Sequence, residues 1–391
     1  MKKFCCIIII LLLLSSCGTG HDRTDVSDTS HETVPLPETE VHYEKQPITG
    51  IESCVYPNPK SVYLYDELTA EQKTVYNALE NIREKVFESN GKEDIKVLLE
   101  QAVTYEDKSI AWNFYIHNFI VLREIFGSYI MEISYDENNT ISGFSYKATD
   151  NFSRVYKKYT DTVTMAHTVL ASLEHDGTDY GKALAIAKWL VDNVTYPHDY
   201  EEKPSAEYWQ AYGALVNKKA VCEGYAEAFD LLGKTAGLNT IYVTGNTVFG
   251  GHAWNMICID NKWYHVDTTW MAQDDYYSNF MMPDDVCFSN GHLNVTYGDT
   301  TIFNTFSAPK ADSFDLYAYY QETCDSAVSY FEKLEIEEGK AYHVFFDDEE
   351  EMKKFIAVSG KIITDKTGKA YIIGITPITQ IRCQVTLYQY E

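Results

Sequence analysis

The stretch from Ala220 to Trp270, AVCEGYAEAFDLLGKTAGLNTIYVTGNTVFGGHAWNMICIDNKWYHVDTTW, constrains this chain more than any other. It sets Cys222, His252 and Asp267 in three different local contexts. Behind Cys222, the residues Tyr225, Ala226, Phe229, Leu232 and Ala236 recur at helical spacing. A helix is therefore predicted from the cysteine to about Ala236, with Gly237 as its C′ residue. A thiol at a helix N-terminus faces amide N–H groups without intrahelical partners and the positive end of the helix dipole, which favour a thiolate. The same N–H groups suit the oxyanion formed when sulfur attacks a carbonyl.

His252 and Asp267 fall on two predicted strands joined by Asp260-Asn261, a two-residue hairpin turn. That turn pairs Ile259 with Lys262 and, counting back, His252 with Thr269. Asp267 then lies on the His252 face as a diagonal neighbour, roughly 7–8 Å away between backbones. A carboxylate there holds the imidazole tautomer and stabilises the imidazolium. A three-residue turn would put the two on opposite faces. Taken singly, each residue also has an ordinary structural use: a small buried thiol, a core histidine, a strand-ending aspartate. Together they form a nucleophile, a base and an orienting group.

This stretch resembles the transglutaminase-like superfamily, with its papain-like Cys-His-Asp arrangement. The matching residues are AVCEGYA around Cys222, GHAWNMICIDNKWYHVDTTW from Gly251 to Trp270, and the approach Ala211-Tyr212-Gly213-Ala214-Leu215. The resemblance extends over about Tyr180 to His292. It implies Cys222 as nucleophile, His252 as base and Asp267 as orienter. One departure is Lys218-Lys219, where relatives often carry a glycine. Tyr212 is a candidate oxyanion donor, and Trp254, on the His252 face with Trp263, a candidate wall of the cleft. His292 closes the resemblance and reads as structural.

The rest of the 391 residues frames this core. Lys2-Lys3 and the apolar run Phe4–Leu14 read as a targeting segment too short to span a bilayer comfortably. Leu14-Ser15-Ser16-Cys17 resembles the bacterial lipobox, which implies lipidation at Cys17 and an extracytoplasmic, membrane-anchored protein. An ordinary cleaved signal or a short uncleaved anchor is the alternative. A net charge of −26 argues against nucleic acid and anionic surfaces as partners. The nine cysteines are too irregularly spaced for a disulfide framework or a Cys-x-x-Cys metal site. Cys258 is expected in the core. Asp274-Asp275 and Asp284-Asp285 lack the spaced ligand pattern of a calcium loop. No metal or cofactor is expected.

The domains expected are a leader over 1–17, a disordered tether over 18–56, an α+β domain over 57–175, the transglutaminase-like core over 176–307, and an α+β region over 308–391. The fold class is α+β, with an antiparallel sheet and a helix carrying the cysteine at its N-terminus. In the N-terminal domain, Thr69 and Gln72 form a capping box. A helix follows near Ser109–Phe126, then a hairpin around Asn138-Asn139 and a helix over Asn151–Leu173. Asp179 caps the first core helix. Pro197 and Pro204 mark a cleft loop over Tyr196–Tyr208. Ala308–Lys333 reads as helix, Ala341–Phe346 as strand, Asp347–Ser359 as helix, and Lys361–Tyr390 as two or three strands.

The function expected is cleavage or transfer at amide bonds of peptides or proteins, including cell-wall peptide, through a thioester. Water as acceptor gives a peptidase or amidase; an amine gives an acyltransferase. The alternative is a non-catalytic surface binding module on the same fold. A saccharide-binding role for the tyrosine-rich flanks fits beside either.

Overall fold

The structure is a computed structural model that describes residues 46–47, 62–90, 93–197, 205–247, 250–273, 279–296, 308–311, 341–345, 349–367, 371–379 and 382–389. The leader, Cys17 and most of the expected tether lie outside these residues. Gln46–Pro47 (β1), inside the expected tether, pairs with Glu174–His175 (β5). Residues 44–314 form one compact unit, and 315–391 belong to a second with 1–43. Among the described residues no helix is long and apolar enough to cross a membrane.

In the first unit, the capping box closes as predicted. Thr69 Oγ1 accepts from the Gln72 amide at 3.2 Å, and Gln72 Oε1 accepts from the Thr69 amide at 3.1 Å. Helix α1 (Ala70–Glu88) follows, burying Val75, Ala78, Leu79, Ile82 and Val86 on one face. The helix expected near Ser109–Phe126 is two pieces. Thr104 caps α2 (Tyr105–Asn118), which stops where Phe119 leaves helical dihedrals, and α3 (Arg123–Gly127) is separate. Strands β2 (Ile95–Val103), β3 (Tyr129–Tyr135) and β4 (Ile141–Ala148) form an antiparallel sheet in the order β2-β4-β3. Helix α4 (Phe152–Ser172) completes this region.

Helix α5 (Asp179–Asn193) is capped by Thr178, not Asp179: the Thr178 hydroxyl accepts from the Gly181 amide at 2.8 Å. Asp179 sits one residue further on, in the first turn, where the dipole favours its charge. Of the cleft loop, residues 198–204 lie outside the described set.

The second sheet holds five antiparallel strands in the order β10-β6-β7-β8-β9. These are β6 (Asn239–Thr247), β7 (Gly250–Ile259), β8 (Lys262–Val266), β9 (Phe280–Met282) and β10 (His292–Thr296). Helix α6 (Cys222–Thr235) packs on β6 and β7. It is buried nearly all round: Tyr225, Phe229 and Leu232 are fully inside. Each of those side chains contributes on the order of 2 kcal/mol through removal from water. The fully buried charges on α6 have partners within the protein. Lys234 pairs with Asp230 at 2.7 Å and donates to the Asn118 carbonyl at 2.7 Å. Helices α7 (Thr268–Gln273) and α8 (Asp284–Ser289) connect the last strands.

In the other unit, β11 (Ala341–Phe345), β12 (Tyr371–Thr379) and β13 (Arg382–Gln389) form an antiparallel sheet in the order β11-β13-β12. Helix α9 (Glu349–Thr367) runs past the end expected at Ser359 and contains Lys361, where a strand was expected. The buried residues Phe355, Ser359, Ile362 and Ile363 explain this, since they continue one helical stripe. Of the helix expected over Ala308–Lys333, only residues 308–311 are described. They are not helical, and Ala311 bridges to Trp263.

Candidate active site

Cys222 opens α6, as predicted. The preceding Val221 is extended and supplies no side-chain cap. Valine is a poor N-cap, costing on the order of 1 kcal/mol against serine or aspartate, and it leaves the first amide N–H groups of the helix to other acceptors. The approach to Cys222 is tied down by backbone hydrogen bonds. The Val221 amide donates to the Tyr208 carbonyl at 2.9 Å, and the Ala220 amide to the Thr195 carbonyl at 3.2 Å. Lys218 has φ 59°, a left-handed conformation that glycine adopts most readily. Its ammonium rests 4.0 Å from the Trp189 ring centroid.

His252 lies near the start of β7, which is registered against β8 through Ile259–Lys262. The turn residues Asp260 and Asn261 have φ 50° and 63°, the type I′ geometry that fixes this register. The strand does not reach Thr269, however. It stops at Val266, because Asp267 turns the chain into α7 and caps that helix. Asp267 Oδ1 accepts from the amides of Thr269 and Trp270 at 2.9 and 3.1 Å. Its Oδ2 accepts from His252 Nε2 at 2.7 Å. The expected meeting of His252 and Asp267 therefore occurs through a helix cap, not across a diagonal strand pair.

A further histidine joins them. His292, the first residue of β10, donates from Nε2 to the same Asp267 Oδ2 at 2.9 Å. A carboxylate has roughly four lone-pair sites, and all are used here. The side chains of Asp267 and His292 are fully buried and that of His252 nearly so.

The electrostatics follow from this arrangement. Burial works against the His252 imidazolium, but the charge and hydrogen bond of Asp267, followed by those of Cys222, outweigh it and hold His252 up at about 10. Burial likewise opposes the Asp267 carboxylate. The adjacent imidazolium and the hydrogen bonds from both histidines prevail and keep it ionised well below the usual carboxylate range. With Nε2 given to Asp267, the Nδ1 of His252 is the ring nitrogen left for proton exchange.

Two indoles flank His252. Trp254 and Trp270 stack near-parallel to it, with centroids at 5.7 and 5.3 Å and interplanar angles of 25° and 27°. Indole faces favour a cation and exclude water. Trp254 thus stands where a cleft wall was expected. Trp263, expected beside it, pairs with Cys258 at the far end of the hairpin and packs on Tyr63. Cys258 is half-buried, not core, for the same reason. Tyr212 carries the Lys158 ammonium 5.4 Å from its ring centroid and lines a small cavity with Arg123, Gln210 and Glu227.

His252, Asp267 and His292 also bring ligand-type atoms within 4.8 Å of one another, as a metal site would. Their N···O spacings are hydrogen-bond lengths, so the three groups satisfy one another through protons. Asp274 and Asp275 lie outside the described residues. Asp284 is engaged instead with His265 Nε2 and the Ala311 amide, both at 3.0 Å. Sequence reasoning missed His292 and Trp270 as neighbours of His252. Trp270 had a signal, three residues past a capping aspartate. His292 had none, being 25 residues from Asp267 in sequence.

Residues 167–268 match the Transglutaminase-like superfamily, a span that includes Cys222, His252 and Asp267. The kyphoscoliosis peptidases of Mus musculus and Homo sapiens are each 26% identical to the chain over 110 residues. The match takes in 25% of this chain and 17% of each of those longer proteins. Among solved structures, calcium-bound LapG of Legionella pneumophila is similar over 43% of this chain and 89% of its own, at 11% identity and TM-score 0.26. A TGase structure is similar over 61% of this chain and 64% of its own, at 13% identity and TM-score 0.23. The segment that carries Cys222, His252 and Asp267 is thus a transglutaminase-like domain.

Proposed function

We propose that this chain is a cysteine-dependent enzyme that cleaves amide bonds of peptides or proteins through a thioester. The observation that carries this reading is the hydrogen bond of His252 to buried Asp267, with Cys222 at the uncapped start of α6 close enough to help hold the imidazolium. In the reaction, the Cys222 thiolate attacks the amide carbonyl carbon and a C–S bond forms. The resulting oxyanion is met by first-turn N–H groups of α6. His252 delivers the proton from Nδ1 to the departing nitrogen as the C–N bond breaks. Water then attacks the thioester, its proton passes to His252, and the C–S bond breaks to release the acid. An amine in place of water gives transamidation by the same steps. The partial likeness to peptidases favours water, and cell-wall peptide is the substrate class that suits an anchored extracytoplasmic protein. The anchor rests on Lys2-Lys3, the apolar run Phe4–Leu14 and the lipobox-like Cys17.

The test is acylation. Wild type, Cys222→Ala and His252→Ala are mixed with an activated peptide ester, and the protein mass is followed with water alone or with added fluorescent primary amine. A transient acyl adduct on wild type only, discharged by water, supports the peptidase reading. Discharge mainly onto the amine makes the protein an acyltransferase. An adduct that persists in Cys222→Ala, or its absence from all three, returns the domain to the binding-module alternative.

A further inference from the structure

We propose that His292 is a positioning residue for this reaction, holding the Asp267 carboxylate fixed and ionised while His252 exchanges its proton with Cys222. The proposal rests on the cysteine-enzyme reading and goes beyond it, since His292 lies outside the matched span 167–268.

The geometry of the carboxylate carries the argument. Oδ1 is fixed by two amides of α7, so rotation of the group is resisted from that side. Oδ2 faces His252, whose charge changes during turnover. A partner that changes charge is a poor anchor by itself. His292 supplies a constant second donor to that oxygen, at 2.9 Å. Its own ring is held at both ends: Nδ1 lies 3.2 Å from the Cys287 carbonyl. A carboxylate only accepts, so Nε2 presents the hydrogen of the bond to Asp267. The ring is also braced by the indoles that flank His252. Its centroid is 4.1 Å from that of Trp270 and 4.7 Å from that of Trp254. Every movement open to His292 is therefore opposed by groups that also define the His252 site.

The titratable groups facing this pair come from four elements: Cys222 from α6, His252 from β7, His265 from β8, and Cys287 and Asp284 from α8. The Cys287 thiol is pushed up by burial and by the two carboxylates, so it stays neutral. Without His292, burial of Asp267 is opposed mainly by His252.

The experiment compares full-chain wild type, His292→Ala and His292→Gln, the glutamine amide restoring a donor near the Nε2 position. Three readouts are taken: the pH profile of kcat, the rate of Cys222 alkylation by iodoacetamide, and the imidazole N–H resonances of the wild type by NMR. Expected among the slowly exchanging, downfield Nε2–H resonances of wild type are two from this site, one lost in each of His252→Ala and His292→Ala. The acid limb of kcat should move up by about one pH unit in His292→Ala, with kcat falling about tenfold or more and KM little changed. His292→Gln should recover most of kcat. A merely structural role predicts lower melting temperatures in both variants, an unmoved acid limb and no rescue by glutamine; that pattern overturns the proposal. So does a wild type whose His292 ring, assigned by its own correlations, shows no protected Nε2–H, which is read even if His292→Ala fails to fold. Turnover abolished in Cys222→Ala but kept, with an unmoved limb, in His292→Ala leaves the cysteine-enzyme reading standing and sinks this one. Turnover kept in Cys222→Ala sinks both.

Discussion

Trp254 Nε1 donates to His265 Nδ1 over 3.1 Å, tying the indole beside His252 to a second, part-buried pair. Because Nδ1 accepts, the hydrogen of neutral His265 sits on Nε2, which donates to Asp284 at 3.0 Å. Burial holds His265 below its ordinary value and keeps it neutral. Trp254→Phe preserves most of the ring area but leaves Nδ1 buried without a donor. The expected loss is about 1–3 kcal/mol in urea unfolding. An unchanged unfolding midpoint would show that the bond contributes nothing.

Asp267→Asn separates capping from charge. Asparagine caps a helix as well as aspartate does, so α7 should survive. The amide has one accepting end, whereas both carboxylate oxygens of Asp267 face donors. Turned one way, its NH2 meets the amides of Thr269 and Trp270; turned the other, it meets the ring hydrogens of His252 and His292. The expected fall in kcat is on the order of 10⁴, by analogy with triads whose orienting aspartate is made neutral. Far-UV circular dichroism should stay near wild type. A fall of less than tenfold would remove Asp267 from the orienting role.

What could be read from the sequence divides along physical lines. The Cys222 helix and the His252 hairpin were legible because local rules fix them: helical spacing with a C′ glycine, and a two-residue turn whose φ values set the register. Asp267 was placed beside His252 correctly, but by a strand that stops one residue short. Aspartate both ends strands and caps helices, and the short α7 offers too few residues for a helical period to appear. His292 was invisible for a different reason. Its contact with Asp267 is made through the order of strands in the sheet, with β10 next to β6 although β7, β8 and β9 come between them in sequence. In the other unit, Lys361 was misread because Phe355, Ser359, Ile362 and Ile363 declare a helical face only once their burial is known.

Two buried histidines should contribute to stability with opposite dependences on pH. His117, fully enclosed with Nε2 donating to the Tyr242 carbonyl, is pushed down by burial to about 4. Its stabilising contribution is complete above the unfolded value of 6.5 and is lost as pH falls toward 4, a change of about 3 kcal/mol. His252, held at about 10, behaves in reverse: its contribution is complete below 6.5 and is lost as pH rises through 10. Urea midpoints of wild type and His117→Gln, which replaces the titrating ring by a neutral donor, should therefore differ by an amount that changes between pH 7 and 4.5 and stays constant between pH 7 and 10. A difference that is the same at pH 7 and 4.5 contradicts the assignment.

Gly245 pairs with His252 across β6 and β7. A Cβ there would meet the Trp254 ring at 2.6 Å and the Leu293 carbonyl at 2.7 Å. One neighbour is a rigid indole and the other is backbone, so neither gives cheaply. Gly245→Ala should push Trp254 toward His252 or part β6 from β10, at about 1–3 kcal/mol. Reduced kcat with a blue-to-red change in tryptophan emission is expected. Wild-type stability and emission together would mean that the strands absorb the methyl.

Glu227 gives the last prediction. Its side chain is 4% exposed and accepts from the Ala211 amide and from Arg123, each at 2.9 Å. Arg123 is 46% exposed, so water screens much of its attraction. Burial prevails over Arg123 and the amide and pushes the carboxyl up to about 8. A carboxyl raised in the folded state contributes stability that is complete below its unfolded value of 4.5 and is lost as pH rises through 8. Glu227→Gln keeps an acceptor for Ala211 and removes the buried charge. Its unfolding free energy should lie within about 1 kcal/mol of wild type at pH 7, since a carboxyl held up at about 8 is already largely neutral there. At pH 9.5 the variant should be the more stable of the two. If it is instead less stable by the same several kcal/mol at both pH values, the Arg123–Glu227 pair outweighs the burial cost and the carboxylate is the native form.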